Sequence, residues 1–207
     1  MTKVKICGIT NLDDALAAVE FGADAIGFVF VPNTPRYIKP AKAAEIIVRL
    51  PPFVTTVGLF VNDSQEHIKQ VADQCKLNIL QLHGQEPPDF CLQFNRKIIK
   101  AFRVKDEESL TDLPKYTVSA YLLDPYVKGA MGGTGVTFDW RLALEAKKYG
   151  LVILAGGLNP ANVTKAIQQV HPYGVDVSSG VEAKPGKKDH SKLKDFIAAA
   201  KVARAVI

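Results

Sequence analysis

The stretch LVILAGGLNPANVTKAIQQVHPYGVDVSSGVE, residues 151–182, decides how the rest of the chain is read. An apolar run from Leu151 to Ala155 ends in Gly156-Gly157. Asn159 and Pro160 then read as the cap and first position of a helix, because an Asn side chain accepts free N–H groups and the proline φ is already helical. A second short strand, Val175 to Val177, ends in Ser178-Ser179-Gly180. Glycine lets backbone N–H groups approach an anion closely, and a helix N-terminus adds partial positive charge. One Gly-Gly after a strand is explained by a plain turn. Two such turns on consecutive βα units are the arrangement in which the loops after the seventh and eighth strands of a β/α barrel form a phosphate cup. The reading therefore predicts six strand–helix units upstream.

Those six units are present. Val4–Cys7 reads as a strand, and Asn11 caps a helix through Phe21 with Asp13 and Asp14 in its first turn. Strands follow at Ala25–Val31, Phe53–Val61, Leu77–Leu82, Lys97–Phe102 and Ser119–Asp124. Helical spacing follows at Ala41–Leu50, from Asp63 or Ser64 to Cys75, from Pro87-Pro88 towards Phe94, weakly at Asp106–Leu113, and at Asp139–Tyr149. Ser191–Val206 reads as the closing helix. The eight strands begin near residues 4, 25, 54, 78, 97, 119, 151 and 175, each followed by a helix. Nearly continuous apolar strands are the mark of a parallel sheet covered by helices, and strict alternation argues α/β. An open doubly wound sheet is the rival; eight units and a late phosphate cup favour a single-domain, eight-stranded parallel β/α (TIM) barrel over residues 1–207.

Composition narrows the partners. The 207 residues are 47% hydrophobic, enough for a substantial core, and 26 basic against 21 acidic residues leave a net charge of +5. The basic residues are dispersed and never interleaved with aromatics, so nucleic acid is not expected as a partner. Cys7, Cys75 and Cys91 are widely spaced with no C-x-x-C, which suggests neither a zinc site nor a disulfide framework. No metal is expected. The start, MTKVKICGIT, has no apolar signal core and no window approaches a membrane span, so a cytoplasmic protein with no membrane partner is expected. A monomer acting on a small molecule is the expectation.

A barrel places chemistry at the carboxyl ends of its strands. That rule selects Cys7, Arg36, His83, Arg103, Asp124 and the turns at Gly156-Gly157 and Ser178-Ser179-Gly180. Free cysteines are usually small buried hydrophobes, and Cys75 and Cys91 in helical stretches read that way. At a strand end followed by Gly8, with Lys5 on the same face, Cys7 can instead serve as a base once its pKa is lowered. Asp124 closes an apolar strand, Y-L-L-D-P, where a carboxylate is costly unless paired or functional; a turn-forming Asp before Pro125 is the plainer account. A thiol and a carboxyl on distant strands suit an acid–base isomerase, in which one group gives a proton and another takes one. Arg36, in a loop stiffened by prolines, suits bidentate recognition of a carboxylate, with surface solvation as the alternative. His83 reads equally as a core hydrogen-bonding group or a site residue. Asp176 on strand eight can pair inside the barrel with Lys5 on strand one.

These segments carry a resemblance. KICGIT at 5–10 in its KVKICGIT setting, GFVF at 27–30 with TPRY at 34–37, QLHG at 81–84, LLD at 122–124 with GGTG at 132–135, AGGLNPANV at 155–163 and DVSSGVE at 176–182 resemble phosphoribosylanthranilate isomerase, in that family's order along the chain. Thr34 stands where serine is common. The resemblance implies a single-domain β/α barrel without metal or organic cofactor. The implied activity is the Amadori rearrangement of N-(5-phosphoribosyl)anthranilate to 1-(2-carboxyphenylamino)-1-deoxyribulose 5-phosphate, in tryptophan biosynthesis. Cys7 would then be the general base and Asp124 the general acid. Arg36 would hold the anthranilate carboxylate, with His83 and Asp176 among the substrate-binding residues. Gly156, Gly157, Ser178, Ser179 and Gly180 would bind the phosphate, and the loop Lys128–Gly135 would close over the site. Two rivals remain. Another phosphosugar barrel isomerase, such as an aminoimidazole carboxamide ribotide isomerase, would be expected to use two carboxylates and a second glycine-rich cup. A non-catalytic phosphometabolite-binding module would hold the sugar phosphate without turnover.

Overall fold

Eight parallel strands close on themselves in sequence order. They are β1 (Lys3–Ile6), β2 (Ala25–Val29), β3 (Thr55–Phe60), β4 (Ile79–Leu82), β5 (Lys97–Val104), β6 (Ala120–Pro125), β7 (Val152–Leu154) and β8 (Gly174–Val177). The computed structural model describes residues 1–126 and 137–203. Closure is made by β1 against β8 in the register Lys3–Gly174, Val4–Val175, Lys5–Asp176 and Ile6–Val177. The expected single-domain barrel is thus the observed fold, and the doubly wound alternative is not.

Side-chain alternation explains the two buried layers. Successive strand residues point to opposite faces of the sheet. On β4 to β7 one alternating set, Ile79, Ile99, Ala101, Ala120, Leu122, Ile153 and Ala155, packs as a separate cluster that fills the barrel. The opposite set, with Ile26, Phe28, Leu80, Leu82, Leu123 and Val175, joins the larger cluster beneath the helices. Both faces of the sheet are therefore mostly apolar, which is why most strands read as nearly continuous hydrophobic runs. Phe30 and Phe60 stack at 5.3 Å within the outer layer.

The helices are α1 (Leu12–Glu20), α2 (Pro40–Ile47), α3 (Gln65–Gln74), α4 (Pro88–Cys91), α5 (Arg141–Ala146), α6 (Val163–Val170) and α7 (His190–Val202). Asn11 caps α1 by accepting from the Asp14 N–H, and Ser64 rather than Asp63 caps α3 by accepting from the His67 N–H. None of the described helices is long and apolar enough to cross a membrane.

Two sequence expectations are corrected, and two further elements were not foreseen. The weak helix after β5 is two 3-10 turns, Glu107–Leu110 and Leu113–Lys115. Asp106 and Ser109 form a capping box there, and Pro114 lacks the N–H that an α-helix would need. The helix after β7 begins at Val163, with Asn162 as its cap, not at Asn159-Pro160. Asn159 instead spends its side chain on a turn, accepting from the Ala161 N–H at 2.9 Å, while the Asn162 side-chain Oδ1 accepts from the Asn159 N–H at 2.8 Å. The Ser178-Ser179-Gly180 turn leads into a 3-10 turn, Ser179–Val181. Beyond it lies a small antiparallel hairpin, β9 (Glu182–Lys184) with β10 (Lys187–Lys188), which inspection of the sequence missed. The proposed lid, Lys128–Gly135, lies outside the described residues.

Candidate active site

At the carboxyl ends of the strands the inward positions open into one cavity of about 280 Å³. It is lined by Cys7, Arg36, Gln81, His83, Asp124 and Asp176 and by the turns Gly156-Gly157 and Ser178-Ser179-Gly180. The sequence candidates thus meet on one concave surface, with apolar side chains of Val29, Leu59 and Val61 between them. Arg103 is the exception. It pairs in register with Asp124 on the neighbouring strand, yet it does not line the cavity.

Cys7 follows the last residue of β1, where its N–H donates to the Val177 carbonyl at 2.8 Å. It is only 4% exposed, and that little surface faces the cavity. Directly below, Lys5 Nζ donates to Asp176 Oδ1 at 2.8 Å, a fully interior ion pair stitched across the β1–β8 seam. Burial pushes the Cys7 thiol above its ordinary value; the Lys5 cation works in the other direction, Asp176 with burial, and Lys188 with Lys5. Lys5 keeps its proton more tightly than usual: burial opposes the charge, but Asp176 and Cys7 outweigh it.

Asp124 stands near the end of β6 with its side chain 9% exposed, and His83 Nε2 lies 3.5 Å from its Oδ2. That distance is long for a hydrogen bond. Gln81 Nε2 sits 2.9 Å from His83 Nδ1; with the amide donating, the ring proton falls on Nε2, towards Asp124. Gln81 Oε1 and His83 Nε2 are buried without a hydrogen-bond partner among the described residues. Buried polar atoms are normally paired, so two orphans aimed at one cavity fit a site built to receive a polar ligand.

The two turns form the far wall. Gly156 and Gly157 have φ of +75° and +64°, in the left-handed region that favours glycine. A Cβ on Gly156 would also fall 1.8 Å from the Pro125 ring, and one on Gly180 1.9 Å from the Leu158 carbonyl oxygen. No larger residue fits either position without moving backbone. Among the described residues the Gly156 and Gly157 N–H groups make no hydrogen bond, and Ser178 Oγ is buried without one. Free donors that converge on a cavity are what an anion needs.

Arg36 crosses the rim, but not as a free cation. Its Nε donates to Glu182 Oε1 at 2.8 Å and its Nη2 to Glu182 Oε2 at 2.7 Å. Lys188 Nζ, fully buried, donates to the same Glu182 Oε1 at 3.1 Å and to the Ser178 carbonyl at 3.1 Å. The Glu182 hydrogen bonds hold the Arg36 proton above its ordinary value; burial resists the Glu182 charge, but Arg36 and Lys188 overcome it and keep that carboxyl below its usual range. Burial drives Lys188 the other way, towards losing its proton. Sequence reasoning missed both partners. Glu182 stood at the end of a quoted motif, and Lys188 sits in KPGKKD, a run that looks like a solvated basic loop.

Comparison with known proteins gives the same picture. A family model described as N-(5'phosphoribosyl)anthranilate (PRA) isomerase matches residues 4–199. The N-(5'-phosphoribosyl)anthranilate isomerase of Geotalea uraniireducens is 59% identical over 201 residues, 97% of this chain and 99% of that one. A crystal structure of monomers generated from the dimeric enzyme of Thermotoga maritima superposes with a TM-score of 0.88 at 48% identity, covering 97% of this chain and 99% of that one. A third relative, phosphoribosyl anthranilate isomerase in complex with reduced 1-(o-carboxyphenylamino)-1-deoxyribulose 5-phosphate, gives 0.87 at 47% identity with the same coverage.

Proposed function

The chain belongs to the N-(5'-phosphoribosyl)anthranilate isomerase family, and from that premise we propose how its cavity carries the reaction. The activity is the isomerisation of N-(5-phosphoribosyl)anthranilate in tryptophan biosynthesis, an aldose-to-ketose conversion by Amadori rearrangement. In this reading Cys7 is the general base and Asp124 the general acid.

The substrate has an anion at each end. Its phosphate sits against the N–H groups and hydroxyls of Gly156-Gly157 and Ser178-Ser179-Gly180, and its anthranilate carboxylate against Arg36. Asp124 protonates the ribose ring oxygen and the bond from that oxygen to carbon one breaks, leaving an iminium. The Cys7 thiolate takes the proton from carbon two, and the electron pair closes an enolamine. Moving the enol proton to carbon one gives the ketone. One proton has left Asp124 and one has reached Cys7, so exchange with solvent resets both. His83, whose Nε2 is free of a hydrogen-bond partner among the described residues, and Asp176 both line the cavity and count among the substrate-binding residues in this reading. Fixing both ends of the sugar between acid and base supplies on the order of 7 kcal/mol of the barrier in well-oriented cases.

The observation that carries the reading is a thiol and a carboxyl on the walls of one cavity whose far side offers free donors. A fluorescence assay following loss of the phosphoribosylanthranilate signal tests it. Catalytic loss of signal is expected, whereas a stable complex without turnover would favour the non-catalytic binding module. The working unit in this reading is a monomer built as one catalytic domain over residues 1–207, because one chain supplies every group used, and it acts in the cytoplasm. A dimer mass in analytical ultracentrifugation would overturn the monomer.

A further inference from the structure

Glu182 is a buried carboxylate that takes no part in the proton transfers, yet three donors converge on its Oε1. Arg36 Nε lies at 2.8 Å, Lys188 Nζ at 3.1 Å and the Gly186 N–H at 3.4 Å. The hairpin that carries it is itself pinned. Thr10 Oγ1 donates to the Gly186 carbonyl at 2.5 Å, and the Lys188 N–H donates to Asp14 Oδ2 at 2.8 Å. Gly186 packs so closely that a Cβ there would fall 2.6 Å from the Pro35 carbonyl oxygen, one residue before Arg36. The Arg36 stem is confined on its other side, where a Cβ on Gly8 would meet its Cδ at 2.7 Å.

The guanidinium is therefore gripped on its Nε–Nη2 edge by a carboxylate that Lys188 and the Gly186 N–H hold in turn. A guanidinium has five N–H donors in a rigid fork. Two are taken by Glu182, which leaves those of Nη1 and one of Nη2 for the cavity that Arg36 lines. We propose that Glu182 is a positioning residue that sets substrate specificity: by fixing the Arg36 fork it makes the cavity select an aromatic amine carrying an ortho carboxylate. Lys188 supports it by leaving the Arg36–Glu182–Lys188 group with one net positive charge when both cations are protonated; an Arg–Glu pair alone would be neutral and a poor receptor for an anion. This rests on the reading of Arg36 as the carboxylate-holding group.

The test compares N-(5-phosphoribosyl)anthranilate with N-(5-phosphoribosyl)aniline, which lacks the carboxylate, in wild type, Glu182→Gln, Arg36→Met and the double variant. Glu182→Gln is expected to raise KM for the carboxylated substrate about tenfold, the scale of one charge-assisted hydrogen bond, with kcat within about threefold. The aniline substrate should be little affected, so the ratio of the two kcat/KM values collapses. In the Arg36→Met background the second change should add less than about twofold, because residues acting through one another are not additive. Glu182→Asp, which keeps the charge and shortens the reach, should fall between wild type and Glu182→Gln, and it keeps the test open should the Gln variant fold poorly. An equal loss on both substrates would make Glu182 merely structural and overturn the proposal. If Arg36→Met lowers the ratio and neither Glu182 variant does, this inference fails alone; if Arg36→Met leaves the ratio intact, the reading of Arg36 fails with it.

Discussion

The proposed mechanism asks a buried thiol to act as a base, although the environment that shields it from water also resists its ionisation. Burial holds Cys7 protonated above its normal range, and only Lys5 and Lys188 pull it back. With Cys7 as the base the active form is the thiolate, so kcat/KM should climb with pH across the neutral range, about tenfold per unit well below the thiol's pKa. A flat profile between pH 6 and 8 would remove Cys7 from the role. Cys7→Ser should lower kcat by about 10²- to 10⁴-fold, the usual contribution of a positioned base, while KM stays near its wild-type value. Asp124→Asn should cost as much, since an amide cannot protonate the ring oxygen; near-normal turnover would dismiss the acid. At this scale the sequence revealed positions but not company. Cys7, Arg36, His83 and Asp124 could be picked out because strand ends are where a barrel keeps its chemistry. That Arg36 is clasped by Glu182, 146 residues away, could not, because no local pattern encodes a partner at that separation.

Between the residue and the whole lies the element, and here the two anion-facing turns depart most from expectation. The sequence suggested a helix N-terminus directly behind the first of them. The structure has an Asn-based turn after β7 and a 3-10 turn after β8, so the donors that reach the cavity come from bent backbone rather than from an α-helix dipole. Short polar side chains make this ambiguous in sequence: Asn serves a helix cap and a local turn equally well, and tertiary packing decides. The glycines were read correctly as turn formers, but their closest constraint is contact. Gly180→Ala would drive a methyl into the Leu158 carbonyl and force the β8 turn outwards. Inorganic phosphate, tested as a competitive inhibitor, should then bind at least about tenfold more weakly, the factor that goes with losing one or two hydrogen bonds to an anion. The melting temperature distinguishes a displaced turn from a collapsed one: unchanged phosphate affinity in a folded variant would mean that this turn is not the phosphate seat.

A barrel differs from an open sheet in one seam, and here the seam runs beneath the proposed base. Strand count and order were readable because most strands are nearly continuous apolar runs punctuated by turn residues; closure of strand eight on strand one then made one long-range contact sterically possible. That contact is the Lys5–Asp176 pair, in register between β1 and β8 and almost wholly removed from solvent. A buried pair adds little net stability, but removing one member leaves a naked charge costing about 3–5 kcal/mol. In a chain of this size each kcal/mol moves the melting temperature by about 2–4 °C, so Lys5→Met should melt on the order of 10 °C lower. Replacing both partners, Lys5→Met with Asp176→Leu, removes the unpaired charge and should recover most of that loss, because an apolar pair of similar volume packs where the ions did. Activity should follow a different course. The double variant still lacks the cation beneath Cys7, so its thiol ionises at higher pH than in the wild type and kcat/KM at neutral pH stays depressed. Differential scanning calorimetry beside the pH–rate profile separates the two roles. A double variant that regained turnover together with stability would show that Lys5 serves only to close the barrel.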